Sequence, residues 1–293
     1  MRWSSRQYPV LWVLPGLCLV LVFTVYPVAH TLWTSLHQVM ILLPGEPFVG
    51  LANYRAVVSG PFFATALANS LWFTLVSAPL IVLLGLGVAK LLLASFRGRF
   101  LVRAVVILPW ALPGAISAVL WLWIFHPSGG ILNLLLYQAG LIDGYIPWLT
   151  DPSLVKLSVV VAHVWTQFPF AAVLLMAALV AIDPELYEAA RIDGAGGWQR
   201  FRYVTLPQIK AMLVVLLVYS TLVAFTSYDL TYAMTGGGPG TATTLLSFQI
   251  WKESFSMYNF GNGAAVGFIT VLISLGFIFA IVKALPSDLF GED

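Results

Sequence analysis

Six stretches of the chain are predominantly apolar: Val10–His30, Leu67–Leu93, Ala104–Phe125, Leu157–Ile182, Ala211–Met234 and Ala264–Val282. None alternates with period two, as a barrel strand with one face in lipid would. Each approaches or exceeds the roughly 20 residues that a helix needs to cross the hydrocarbon. The pattern predicts an all-α membrane protein with six transmembrane helices. The first run is long for a signal-peptide core and lacks a small-x-small cleavage site, so it reads as a retained helix. Pro27, Pro79, Pro109, Pro113 and Pro169 fall in the runs. Each removes a backbone bond and obliges neighbouring groups to satisfy the freed carbonyl.

Composition agrees with the pattern. Hydrophobic residues make up 60% of the chain and charged residues 9%, with a mean hydropathy of +0.93. An ordinary soluble domain is about half apolar, so lipid is the solvent. The net charge of +2 gives no footprint for nucleic acid. The single cysteine, Cys18, excludes an internal disulfide. Placing the N-terminus inside puts Arg2, Arg6, Lys90, Arg97, Arg99, Arg103, Arg191, Arg200, Arg202, Lys210 and Lys283 on the cytoplasmic side. Only Arg55, Lys156 and Lys252 then lie outside. This asymmetry is the positive-inside bias, and it predicts both termini in the cytoplasm.

The scarce charges are also unevenly spread. Asp183, Glu185, Glu188, Arg191, Asp193, Arg200, Arg202 and Lys210 crowd into the loop between the fourth and fifth runs, on the predicted cytoplasmic side. Asp183-Pro184-Glu185 reads as the cap and first turn of a helix. That helix is expected to run from Leu186 to Ile192 and stop at Gly194, where a left-handed backbone costs glycine little. Trp198–Val204 predicts a second short helix. A surface-lying amphipathic hairpin and a docking knob for a cytoplasmic protein both fit this pattern. The small Ala189 and Ala190 favour close approach by a partner.

The spacing carries a resemblance. Glu188-Ala189-Ala190, three residues, Gly194, nine residues and Val204-Thr205-Leu206-Pro207 resembles the EAA loop of ABC-importer permeases, with Val204 where the family pattern has isoleucine. "FVGLANY", "ILPWALPG", "WLWIFHPSGGILN" and "YDLTYAMTGGGPGTATTLL" extend the resemblance to the maltose-transporter type of sugar permease, first of its two permease subunits. It implies the type I importer permease fold with a cytoplasmic coupling-helix loop. Residues 1–66 would supply a helix and an outer loop. Residues 67–285 would be a five-helix core with the docking loop at 183–210, and 286–293 a short cytoplasmic tail. Glu188, Ala189, Ala190, Gly194, Leu206 and Pro207 would seat in an ATP-hydrolysing partner. The implied partners are a second permease, two ATPase subunits that carry the ATP and magnesium, and an extracytoplasmic solute-binding protein. The location would be the cytoplasmic membrane of a bacterium or archaeon. This chain itself would bind no cofactor and catalyse no reaction, and its cargo would be a carbohydrate, with glycerol phosphate as the alternative.

Other motifs are weighed on their chemistry. "TGGGPGTAT" lacks the Gly-Lys-Ser/Thr of a phosphate-binding loop and falls outside the cell by the charge count. The histidines have no metal-ligand spacing. Within the runs, Asn69, Trp72, His163, Gln167, Tyr228 and Asp229 offer the hydroxyl-binding amides and flat aromatic faces that suit a sugar. Each also fits the plainer role of bonding neighbouring helices. Asp229 either ends its helix or contacts solute or gate. A secondary carrier would call for mid-membrane charges and an internal repeat, and an intramembrane enzyme would need convergent catalytic groups; neither pattern is present.

Overall fold

The computed structural model describes residues 8–283. Arg2, Arg6 and the expected tail 286–293 lie outside the described residues. The described residues form helices α1 (Tyr8–Val20), α2 (Tyr26–Ser35), α3 (Ala52–Val58), α4 (Phe63–Leu93), α5 (Arg99–Ala111), α6 (Gly114–Ile124), α7 (Ile131–Gln138) and α8 (Pro152–Val180). They continue as α9 (Pro184–Ile192), α10 (Gly197–Arg200), α11 (Leu206–Gln208), α12 (Lys210–Thr226), α13 (Asp229–Thr235), α14 (Leu246–Trp251) and α15 (Phe260–Lys283). Single π-turns at Leu21–Val25, Phe201–Thr205 and Lys252–Ser256 join three of these to their neighbours.

Four helices are long and apolar enough to cross a membrane unbroken: Val13–Ser35, Phe63–Leu93, Pro152–Val180 and Phe260–Lys283. The other two expected spans are bent. The third is a pair, α5 and α6, meeting at 103°. Leu112 precedes a proline and is therefore held extended, at φ −80° and ψ 136°. Pro113 then caps α6. The fifth also departs from one straight helix. The segment Gly197–Gln208 meets α12 at 67°, and α12 stops at Thr226, where Ser227 turns extended before α13 begins at Asp229. The expected span Ala211–Met234 is therefore not one helix, and Asp229 starts α13 rather than ending a helix.

The chain divides into two compact units, Met1–Phe63 with Gln249–Val271 and Ala64–Phe248 with Leu272–Asp293. In the first, Asn53 is the tie. Its buried amide donates to the carbonyls of Ser35 at 2.9 Å and His37 at 2.8 Å. Tyr54 OH meets Ser35 Oγ at 2.7 Å. Gly261 lies against these atoms so closely that a Cβ there would sit 2.6 Å from the His37 carbonyl. The span Val13–Ser35 is exposed along its length except at Thr34 and Ser35.

The second unit packs around α8. Val159, Val160, Ala171 and Leu175 of α8 join Phe73 and Ile81 of α4, Ala118 of α6, Leu216 of α12 and Leu230 of α13 in one buried cluster. The loop after α6 folds around Asn133. Its amide donates to the Pro127 and Ile146 carbonyls, and its Oδ1 accepts from Ile146 N and from Trp148 Nε1 at 2.9 Å. All the hydrogen-bonding capacity of one buried amide is thus spent on closing one loop.

Candidate functional site

Two places in the second unit gather the chemistry. The first is the helical hairpin α9–α10. Asp183 caps α9 as its sequence requires, Oδ1 accepting from Glu185 N at 2.9 Å. Asp193 closes the helix, and Gly194 follows at φ +79°. Its N–H returns to the Arg191 carbonyl at 3.0 Å. Gln199 Oε1 accepts from Gly196 N at 2.7 Å and starts the second helix. The second short helix expected over Trp198–Val204 is one turn of α-helix, Gly197–Arg200, running into the π-turn Phe201–Thr205. Tyr187 OH meets Thr205 Oγ1 at 3.0 Å and ties the two arms together. No residue of α9 is buried. Glu188, Ala189 and Gly194 are exposed and Ala190 half-buried, beside exposed Leu186, Ile192, Trp198 and Tyr203. Leu206 and Pro207 form the start of α11, and Ile209 beneath them is buried.

The second place is a cavity of about 250 Å³. Its existence follows from the two broken spans. Where α5 gives way to α6, and α12 to α13, side chains from both breaks face the middle of α8. The lining includes Trp110 and Gly114 from the first break, His163, Thr166 and Gln167 from α8, and Thr226, Ser227, Tyr228 and Asp229 from the second. Gly114 is needed there: a Cβ would lie 2.7 Å from Asp229 Oδ2. The Asp229 carboxylate therefore rests at the amino end of α6, where a helix dipole favours negative charge. Ser227 Oγ sits 3.5 Å from His163 Nδ1. The Ser227 carbonyl accepts from Ser247 Oγ at 2.9 Å, which satisfies a backbone group freed by the break. His163 is fully buried against Phe73, ring centroids 4.9 Å apart, and its Nε2 has no partner. Tyr228 stacks on Tyr232 at 5.2 Å.

Four of the six sequence candidates, His163, Gln167, Tyr228 and Asp229, thus line one cavity. Asn69 and Trp72 do not. Asn69 Nδ2 donates to the carbonyls of Thr241 and Thr244, at 2.9 and 3.1 Å, and holds the glycine-rich loop. Trp72 lines a separate open groove with Lys156, whose Nζ is 6.0 Å from its ring centroid. The threonines of that loop bond within it: Thr243 Oγ1 donates to the Gly238 carbonyl and Thr244 Oγ1 to that of Gly237. Sequence reasoning missed Trp110, Gly114, Thr166 and Ser227. Thr166, three residues after His163, had a periodicity signal; the others required the breaks to be seen.

Apolar spans, two of them in the second unit broken around a polar cavity, and a charged helical hairpin in the same unit are the features of an integral-membrane transport subunit. The chain belongs to the binding-protein-dependent transport system inner membrane component family, whose model matches residues 81–286. It is 38% identical to a trehalose/maltose transport system permease protein of Thermococcus litoralis, over 97% of this chain and 95% of that one. It is 34% identical to a trehalose transport system permease protein of Mycobacterium tuberculosis, over 99% and 91%, and 34% identical to a sulfoquinovosyl glycerol transport system permease protein of Agrobacterium fabrum, over 94% and 90%. Among solved structures its fold is similar to a chain of a bacterial ABC transporter involved in import of the acidic polysaccharide alginate. That match has a TM-score of 0.79 and 23% identity, covering 96% of both chains.

Proposed function

We propose that the chain is the membrane-spanning subunit of an ATP-driven importer that carries a neutral carbohydrate inward by alternating access. The observation that carries this reading is the exposed α9–α10 hairpin bearing Glu188, Ala189, Ala190 and Gly194. It has the exposed apolar residues and fixed turn of a docking element, in a chain that belongs to an importer-permease family. Two ATPase subunits, holding ATP and magnesium, receive this hairpin from the cytoplasm. Their closure on ATP moves the hairpin, and the motion passes to the spans through the Tyr187–Thr205 tie and α11 into α12. The coupling works only because the ATPases bind the two permease states unequally.

The cargo assignment rests on the cavity. Its amide, hydroxyls and carboxylate suit hydroxyl groups, and Trp110 offers an aromatic face. No lysine or arginine lines it among the described residues, and Asp229 repels an anion. A neutral disaccharide, oligosaccharide or sugar-like osmolyte is favoured over glycerol phosphate and over acidic sugars. The trehalose and maltose named for relatives support the same class. At about 250 Å³ the cavity is below the roughly 300–1,000 Å³ usual for small-molecule sites. In this reading a second permease completes it, as expected of the family, and an extracytoplasmic binding protein delivers the solute. Both termini lie in the cytoplasm.

The test is mass spectrometry of the proteins that co-purify with a tagged copy from its own membranes in mild detergent. An ATPase and a second permease are expected. A stable preparation of this chain alone would remove the importer assignment and bring a secondary carrier forward.

A further inference from the structure

The elbow between α4 and α5 has no role in the transport reading above. Its sequence, Ala94-Ser95-Phe96-Arg97-Gly98-Arg99-Phe100-Leu101, is exposed at every position. Phe100 is 79% and Leu101 68% exposed, so no described part of this chain covers these side chains. Arg97 and Arg99 flank Gly98, which turns the chain at φ +84°. No asparate or glutamate occurs anywhere between Glu46 and Asp143. Among the described residues neither arginine has an ion-pair partner or a side-chain hydrogen bond.

The elbow is nonetheless held. Arg103 Nη2 donates to the Leu92 carbonyl at 2.9 Å, tying the start of α5 to the end of α4. Lys90, one turn earlier, is occupied over the Phe201 ring at 3.9 Å. The same contact puts the elbow at the hairpin end of the unit, beside the π-turn that follows α10. Arg103 and Lys90 therefore brace the turn, and Arg97 and Arg99 are the cations left to meet something.

We infer that this elbow is an anionic phospholipid site, with Arg97 and Arg99 binding the headgroup phosphate and Phe96, Phe100 and Leu101 inserted at the acyl boundary. The ordering of the residues argues for lipid. Two cations lie between exposed aromatics at the mouth of a membrane span, where basic residues meet phosphates and aromatic rings sit at the headgroup level. An acidic protein surface would match the two charges but offers nothing apolar for the adjoining, exposed Phe100 and Leu101. The inference rests on membrane embedding and on the cytoplasmic placement of the hairpin end in the proposed function, and not on the solute.

The test is native mass spectrometry of the purified transporter, with all its co-purifying subunits. It is titrated with phosphatidylglycerol and, separately, with phosphatidylcholine of the same acyl chains. Wild type is expected to bind at least one phosphatidylglycerol more tightly than phosphatidylcholine. Each arginine near an anionic headgroup contributes about fivefold in affinity. The Arg97→Gln, Arg99→Gln double variant should therefore lose the preference by about 30-fold, while Arg97→Lys, Arg99→Lys retains most of it. Both substitutions are at exposed positions and leave the Arg103 brace intact. Unchanged phosphatidylglycerol binding in the glutamine variant would overturn the site. Displacement of the lipid by millimolar inorganic phosphate alone would overturn it in favour of a small-anion site. Loss of a subunit with lipid binding preserved would overturn it in favour of a protein partner.

Discussion

Asp229 and Gly114 show what a single residue decides in this chain. The carboxylate occupies the first turn of α13 and rests where α6 begins, in space that exists because residue 114 has no side chain. Two variants separate its charge from its position. Asp229→Asn keeps the shape and removes the charge. A hydrogen bond to a charged group is worth roughly 1.5–3 kcal/mol, so a carboxylate that accepts a sugar hydroxyl should lose at least about tenfold in solute affinity. Gly114→Ala keeps the charge but puts a Cβ 2.7 Å from Oδ2, so the carboxylate must move and uptake should fall similarly. Uptake measured against solute concentration checks both. Wild-type curves for Asp229→Asn would leave Asp229 only as the residue that starts α13. Of this pair, Asp229 was legible in the sequence as a lone acid within an apolar run. Gly114 was not, because a glycine after proline reads as a turn and gives no sign of the carboxylate packed on it. Asn133 was equally hidden: "ILNLLL" looks like an apolar helix, and only the folded loop shows four partners around its amide.

Elements were more legible than their breaks. The six apolar runs and the capped helix at Asp183 could be read because long hydrophobic stretches and Asp-Pro-Glu have one dominant local outcome. The bend between α5 and α6 had a local cause in Pro113. The interruption at Ser227 had none, since neither proline nor glycine stands there; the Ser247 hydroxyl satisfies the freed carbonyl from twenty residues away. The π-turn at Phe201–Thr205 is similarly without a local mark. Gly194 is the opposite case, a glycine whose positive φ was foreseeable from its place after α9. Proline cannot adopt φ +79°, and it would also remove the N–H bonded to the Arg191 carbonyl. Gly194→Pro is therefore expected to insert and accumulate as wild type, since nothing in α9 is buried, while uptake falls to background and ATP hydrolysis no longer responds to solute. Normal uptake in this variant would detach the hairpin from energy coupling.

At the scale of the whole molecule, the charge asymmetry makes a claim about direction that the spans alone do not. Within the second unit the ends of the helices are consistent with it. The start of α4 meets Thr241 and Thr244 through Asn69, with Lys156 near Trp72. Its other end, about 30 Å away for 21 helical residues, carries Lys90 against Phe201 of the hairpin. Lys90, Arg103, Arg191, Arg200 and Arg202 therefore gather toward one end, as the alternation of spans requires, and Lys156 toward the other. The side of the membrane can be read with one thiol, because Cys18 is the only cysteine. In a Cys18→Ser background, Ser128→Cys probes the loop after α6 and Gly196→Cys probes the hairpin. Both positions are exposed, and a Cβ at Gly196 meets nothing closer than Gln199 Oε1 at 3.6 Å. A membrane-impermeant maleimide should label position 128 in intact cells and position 196 only in inside-out vesicles. The reverse pattern would put the hairpin outside, beyond reach of any ATP-hydrolysing subunit, and the importer mechanism would fall together with the positive-inside reading on which its direction rests.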